Sequence, residues 1–216
     1  MRMRKKPNLI PRMEACSDIW IRQPQDYRGR WRELYPQARE LRLEVGCGKG
    51  KFTAETAAAE PDVLLIAMER VPEAMVMAME KVKAMGLTNV FFIGEDVAQV
   101  EELFAPEEVD LLYINFCDPW PHKKHAPRRL THQDFLKRYQ HVLKPGGEIH
   151  FKTDNAGLFA FSLEQFELCG GYTLKHVTHD LHKDGPVGIM TGYEEKFYGL
   201  GTPICRLEAV FSGGNV

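Results

Sequence analysis

The chain has 216 residues, 44% hydrophobic and 27% charged, which suits one core-bearing domain and is too short for several. Its 28 Lys/Arg against 30 Asp/Glu leave a net charge of −2, which excludes a histone-like polycation. No apolar run approaches the roughly 20 residues of a membrane span, and five scattered cysteines without a CxxC pair fit a reducing cytoplasm better than a disulfide framework.

The small net charge hides segregation. Residues 1–42 carry eleven basic against five acidic side chains, and residues 43–118 five against fifteen. Residues 119–152 return to eight against two, and 153–216 hold four against eight. Two basic segments on an acidic body suggest a phosphate-attracting surface.

In chain order, residues 1–13 read as a mobile basic arm, too poor in apolar residues for a secretory signal. Residues 14–39 read as a lead-in with a short helix near 26–35. Leu41–Val45 is a strand stopped by Gly46-Cys47-Gly48-Lys49-Gly50, and a helix follows to residue 59. Residues 63–68 form a continuous apolar run, as in a strand covered on both faces. Pro72 starts a helix that stops at Gly86, because proline lacks an amide hydrogen that would be unpaired there. A strand at 90–93, a short helix at 97–104 and a strand at 109–116 come next. The basic loop 122–130 leads to Thr131 as N-cap of a helix to Val142. Lys144–Gly147 is a turn before a strand at 148–153, followed by a helix near 155–168 and a strand near 172–178. Lys196–Tyr198 and Ile204–Phe211 read as edge or returning strands. This alternation predicts an α/β fold with a mostly parallel sheet and helices on both faces. A domain over 41–216 then follows a basic arm and lead-in over 1–40.

The glycine turn lies at the tip of the first strand, where open α/β sheets bind ligands. It is neither a P-loop nor the dinucleotide fingerprint, since Lys51-Phe52 stands where those need other residues. An S-adenosylmethionine-type turn remains, with Gly46 and Gly48 letting the backbone approach the ligand. Glu69, at the end of the second strand, can accept from two ribose hydroxyls. Asp96, after the third, can accept from the adenine amino group, and Glu44 can meet the methionine ammonium. At the fourth-strand tip, Asn115-Phe116-Cys117-Asp118-Pro119-Trp120-Pro121 is a stiff loop, since proline restricts itself and its predecessor. It places Asp118 and Trp120 rigidly, and alignment is most of what methyl transfer needs. The following His122, Lys123, Lys124, His125, Arg128 and Arg129 suit a nucleic acid backbone. Histidines 122, 125 and 132 lack a Cys pair or HExxH and sit among cations, so no metal is expected.

With Glu44–Gly50, Asn115–Pro121, Arg128-Arg129-Leu130-Thr131 and Thr191-Gly192-Tyr193-Glu194, the sequence resembles the bacterial tRNA (guanine-N7-)-methyltransferase family across nearly its whole length. That resemblance implies a Rossmann-like class I methyltransferase with a seven-stranded sheet, using S-adenosyl-L-methionine on N7 of guanosine 46 in the variable loop of tRNA. It implies cofactor contacts at Glu44, Glu69, Asp96 and Asp118, with Asp118 also catalytic. Substrate contacts are implied at His122, Asp154, Thr191, Gly192, Tyr193 and Glu194, and a tRNA-facing element at 122–130. The family usually has lysine where this chain has His122, and serine where it has Cys117. A cytoplasmic enzyme without metal or membrane partner is expected, as monomer or homodimer. Alternatives are a methyltransferase acting on another RNA, a protein or a small molecule, and a non-enzymatic RNA-binding protein on the same fold. A dehydrogenase is disfavoured by Lys51.

Overall fold

The computed structural model describes residues 8–214. Seven strands form one sheet in the order β3-β2-β1-β4-β5-β7-β6. β1 (Glu40–Val45), β2 (Val63–Met68), β3 (Val90–Ile93), β4 (Val109–Asn115) and β5 (Leu143–Thr153) run parallel. β7 (Cys205–Phe211) inserts antiparallel between β5 and β6 (Tyr172–Thr178). The mostly parallel α/β sheet therefore forms as expected, with seven strands.

Helices α1 (Leu9–Glu14), α2 (Lys51–Ala59) and α3 (Pro72–Ala84) pack as one group. Helices α4 (Val100–Leu103), α5 (Gln133–Val142) and α6 (Ala156–Cys169) form a second, and α7 (Gly192–Gly199) lies near the strand tips. Every residue of β2 is buried, which explains its uninterrupted apolar run. In α3, Pro72 opens the helix and Met75, Ala78, Met79 and Val82 form the inward stripe. Among the described residues, no helix is long and apolar enough to cross a membrane.

Several local expectations change. Residues 1–7 lie outside the described residues, but the rest of the expected arm is ordered: α1 buries Met13, and Arg12 binds Glu80 through two hydrogen bonds of 2.6 Å. The helix expected near 26–35 is two 3-10 turns, Pro24–Tyr27 and Trp31–Leu34. Trp31 is fully buried there and donates its indole N–H to the Leu103 carbonyl at 2.9 Å. The helix expected over 97–104 begins as the 3-10 turn Val97–Gln99 before α4. The N-cap of α5 is His132, whose ring nitrogen accepts from the Asp134 amide, rather than Thr131. Thr131 is buried instead, with its hydroxyl 2.7 Å from that of Ser162. Residues 144–147 fall within β5, where the β4 pairing shifts register between Val109 and Leu111. Lys196–Tyr198 is helical, inside α7. The Thr191/Glu194 capping box starts that helix, and this local signal overrides the aromatic character that suggested a strand.

At Gly50, the N-cap of α2, φ is +69° and an added Cβ would lie 2.5 Å from the Ala78 Cβ and 2.7 Å from its Cα. Only glycine lets α2 leave β1 this close to α3. Gly50→Ala should therefore destabilise the protein by about 2–4 kcal/mol, read from denaturant unfolding at unchanged slope.

Candidate active site at the strand tips

The strand order reverses between β1 and β4, so the segments leaving their carboxyl ends diverge and open a crevice. The glycine turn forms one wall. Gly46 and Gly48 have φ of +79° and +57°, and no atom lies within 4 Å of where their Cβ would be. The Gly46 and Cys47 amides donate to the Met68 carbonyl at 2.9 and 3.0 Å, clamping the turn to the end of β2. Glu69, one residue on, accepts from the Gly48 amide at 2.9 Å and from the Val71 amide at 2.8 Å. Its carboxylate thus turns toward the glycine turn, with lone pairs left for further donors. Asp96 follows β3 at the same edge, accepts from the Ala98 amide at 3.0 Å and pairs with Arg70, the neighbour of Glu69. The Ala98 amide, with Arg70 assisting, holds the Asp96 carboxyl below its ordinary range.

Glu44 is a buried acid of the crevice. It is 2% exposed and accepts from the Thr53 hydroxyl at 2.6 Å. Burial raises its pKa to about 7, against the opposing influence of Thr53, Asn115 and Lys152. Asn115, at the end of β4, lies beside it and eases its charge, yet neither polar atom of the Asn115 amide makes a hydrogen bond of normal geometry. So poorly satisfied an amide keeps hydrogen-bonding capacity that a polar ligand in the crevice can use.

The opposite wall is the loop after β4. Phe116 and Trp120 hold φ of +52° and +42°, a left-handed backbone that costs each side chain about 1–2 kcal/mol. Arg129 stabilises this shape by donating to the carbonyls of Pro119 and Trp120, both at 3.0 Å, while its guanidinium lies 4.2 Å from the Phe161 ring centroid. Trp120 meets His125 edge-on at 5.7 Å and carries the Arg128 guanidinium 5.1 Å from its ring. Asp118 is exposed, and its carboxylate has no hydrogen bond or ion pair among the described residues. His122, Lys123, Lys124 and Arg128 are exposed on the 3-10 stretch Lys123–Arg128 and its N-cap, at the same rim. Of the six basic side chains expected to face outward, Arg129 instead ties the loop together. Cys47 and Cys117, in the two walls, both have thiol pKa values pushed upward by burial.

β5 and α7 close the third side. Asp154 is half-buried, just beyond β5. Lys152 sits beside Asn115 in the sheet register and donates to Glu194 at 2.6 Å. Thr191 and Glu194 cap α7 reciprocally, leaving Gly192 and Tyr193 exposed. Lys51, in the first turn of α2, pairs with Glu195 at 2.9 Å and reaches the Met190 carbonyl at 3.3 Å. The expected residues therefore gather around one edge of the sheet, from Glu44, Gly46, Gly48 and Glu69 to Asp118 and the Thr191–Glu194 turn.

Known proteins resemble this chain. Residues 38–207 match the family model described as "Putative methyltransferase". The tRNA (guanine-N(7)-)-methyltransferase of Bacillus subtilis is 44% identical over 96% of this chain and 98% of its own length. The enzyme of that name from Halalkalibacterium halodurans is 45% identical over 98% of this chain and 96% of its own. The chain belongs to the tRNA (guanine-N(7)-)-methyltransferase family. Among solved structures, the 16S rRNA methyltransferase KamB aligns with a TM-score of 0.64 at 15% identity, covering 86% of this chain and 94% of that one. At that identity the likeness concerns the class I fold alone. Family membership brings S-adenosyl-L-methionine as methyl donor, and the crevice fits it. The space over Gly46 and Gly48, the Glu69 carboxylate and the poorly satisfied Asn115 amide suit a ligand with ribose hydroxyls and an amino acid tail.

The sequence does not single out Thr53 and Lys152, and it presents Asn115 only as the start of the stiff loop, with no role of its own. A polar residue ending an apolar strand is the signal that marks Asn115; Thr53 and Lys152 carry none. Glu44 yields a pH prediction. Its folded pKa of about 7 exceeds the ordinary 4.5, so its contribution is fully present below pH 4.5 and is lost as pH rises through 7. Glu44→Gln should flatten this decline, with a stability difference from wild type that changes by on the order of 3 kcal/mol across the window in urea unfolding.

Proposed function

We propose that this chain transfers the methyl group of S-adenosyl-L-methionine to N7 of a guanosine, position 46 in the variable loop, of tRNA. The observation that carries the reading is the exposed Asp118, without a hydrogen-bond or ion-pair partner among the described residues, held on a stiff loop at the point where the strand order reverses. The family and its near-full-length relatives support the substrate. The bound donor supplies an electrophilic methyl carbon on a positively charged sulfur. Glu44 holds its ammonium, Glu69 its ribose hydroxyls and Asp96 the adenine amino group, while Gly46 and Gly48 allow close approach.

Guanine N7 already carries a lone pair, so no side chain has to remove a proton first. Alignment and charge placement are what the protein contributes. Positive charge passes to the base during transfer, and Asp118 stands where a carboxylate favours it. Asp154 accepts from the N1–H and 2-amino group, a donor pair that adenine lacks. Gly192 and Tyr193 present the outer surface of the α7 turn to the substrate, and His122, Lys123, Lys124 and Arg128 meet the RNA backbone. Free cysteines and the tRNA substrate support a cytoplasmic setting.

The direct test incubates the protein with labelled donor and unmodified tRNA and maps the modified base. Label at guanosine N7 in the variable loop is expected, and label on another base overturns the reading. Asp118→Ala should lower kcat by about 100-fold or more while donor affinity falls far less, measured by single-turnover assay and calorimetry. Neutralising Lys123, Lys124 and Arg128 together should weaken tRNA binding and reduce the slope of log affinity against log salt by about two to three. An unchanged slope removes the loop from the RNA interface.

A further inference from the structure

Glu194 lies in the turn assigned above to the substrate, yet its side chain is 0% exposed and turns inward. Three donors converge on its carboxylate. Lys152 Nζ lies 2.6 Å from Oε2, the Thr191 amide 3.1 Å from the same oxygen, and His182 Nε2 3.0 Å from Oε1. His182 is itself buried, and its Nδ1 accepts from the Val187 amide at 3.1 Å. That acceptance places the ring proton on Nε2, where it donates to Glu194. Lys152 also donates to the Ile189 carbonyl at 3.1 Å. One carboxylate thus fixes the start of α7, the 182–189 loop and the tip of β5.

We propose that Glu194 is a positioning residue and not a substrate contact: with Lys152 and His182 it forms an internal anchor that holds Gly192 and Tyr193 over the crevice. The proposal rests on the tRNA reading above and deepens it at the same site. A fully buried side chain whose two oxygens are already taken by protein donors has nothing to offer an incoming base, whereas those bonds enforce a single geometry on the segments it joins. The adjoining contacts agree. Phe197 of α7 stacks on Phe116 at 6.4 Å with planes 9° apart, and Lys51 joins α7 to the glycine turn's helix through Glu195. Tyr193, 55% exposed, is left as the aromatic surface that this framework presents.

The test separates positioning from chemistry and from mere support. In the full-length protein, Glu194→Gln should raise the KM for tRNA about tenfold or more, with kcat at saturating tRNA changed far less. Donor Kd, measured by calorimetry without tRNA, should stay within about threefold, because the donor's own contacts are untouched. Amide hydrogen exchange over 182–195 should quicken. His182→Gln, which retains a donor toward Glu194, should stay near wild type in KM, while His182→Ala should follow Glu194→Gln. The double variant Lys152→Met with Glu194→Met removes the charges together and should regain thermal stability without regaining tRNA KM. A raised KM or a lowered kcat with unchanged exchange would make Glu194 a direct participant and overturn the proposal. Recovery of KM together with stability in the double variant would overturn it too. If wild type methylates no tRNA, the functional reading fails by itself, and the exchange rates of the His182 and Glu194 variants still decide the anchor.

Discussion

Between β1 and β4 the sheet changes the direction in which strands are added, and the chain leaving each strand must turn away from the other. This divergence creates the crevice, and the glycine turn makes it usable. Gly50 lets α2 start against α3, where a methyl group would overlap Ala78, and Gly46 and Gly48 leave open space above the turn. Glu69 then locks the turn from the next strand by accepting the Gly48 amide. The side chain proposed for the donor's ribose therefore also holds the glycine turn in shape.

The crevice is strongly polar beneath an apolar sheet. Glu44, Asn115, Lys152 and Glu194 lie along the tips of β1, β4, β5 and the start of α7, all largely buried. Charges in such surroundings are tolerable only with close partners. Glu194 is saturated by protein donors, whereas Glu44 has one hydrogen-bonding hydroxyl and a raised pKa. The difference separates an acid saturated within the protein from one that keeps hydrogen-bonding capacity.

The apolar strands and the helices between them were legible because each carries its signal within a few consecutive residues. The runs at 63–68 and 90–93, Pro72 and the glycines needed no tertiary information. The boundaries that moved depend on contacts from afar: Thr131 is drawn into the core by Ser162, leaving the cap to His132, and Arg12 is ordered by Glu80. Lys196–Tyr198 is different, since the Thr-x-x-Glu capping box preceding it was visible in the sequence. The motifs located the crevice, but not which residues turn inward. Lys152 and Glu194 are 42 positions apart, and only the placement of β5 and α7 makes them partners. Arg129, in a run of cations, is likewise assigned inward by the Pro119 and Trp120 carbonyls that the folded loop presents.

The two cysteines in the crevice walls bear on selectivity among nucleophiles. A thiolate attacks an activated methyl carbon more readily than a purine nitrogen does, and a thiol does so poorly. Burial disfavours the thiolate of both Cys47 and Cys117, pushing their pKa values upward. A methyl donor bound in the proposed crevice would thus face two sulfurs that the fold has made poorer nucleophiles.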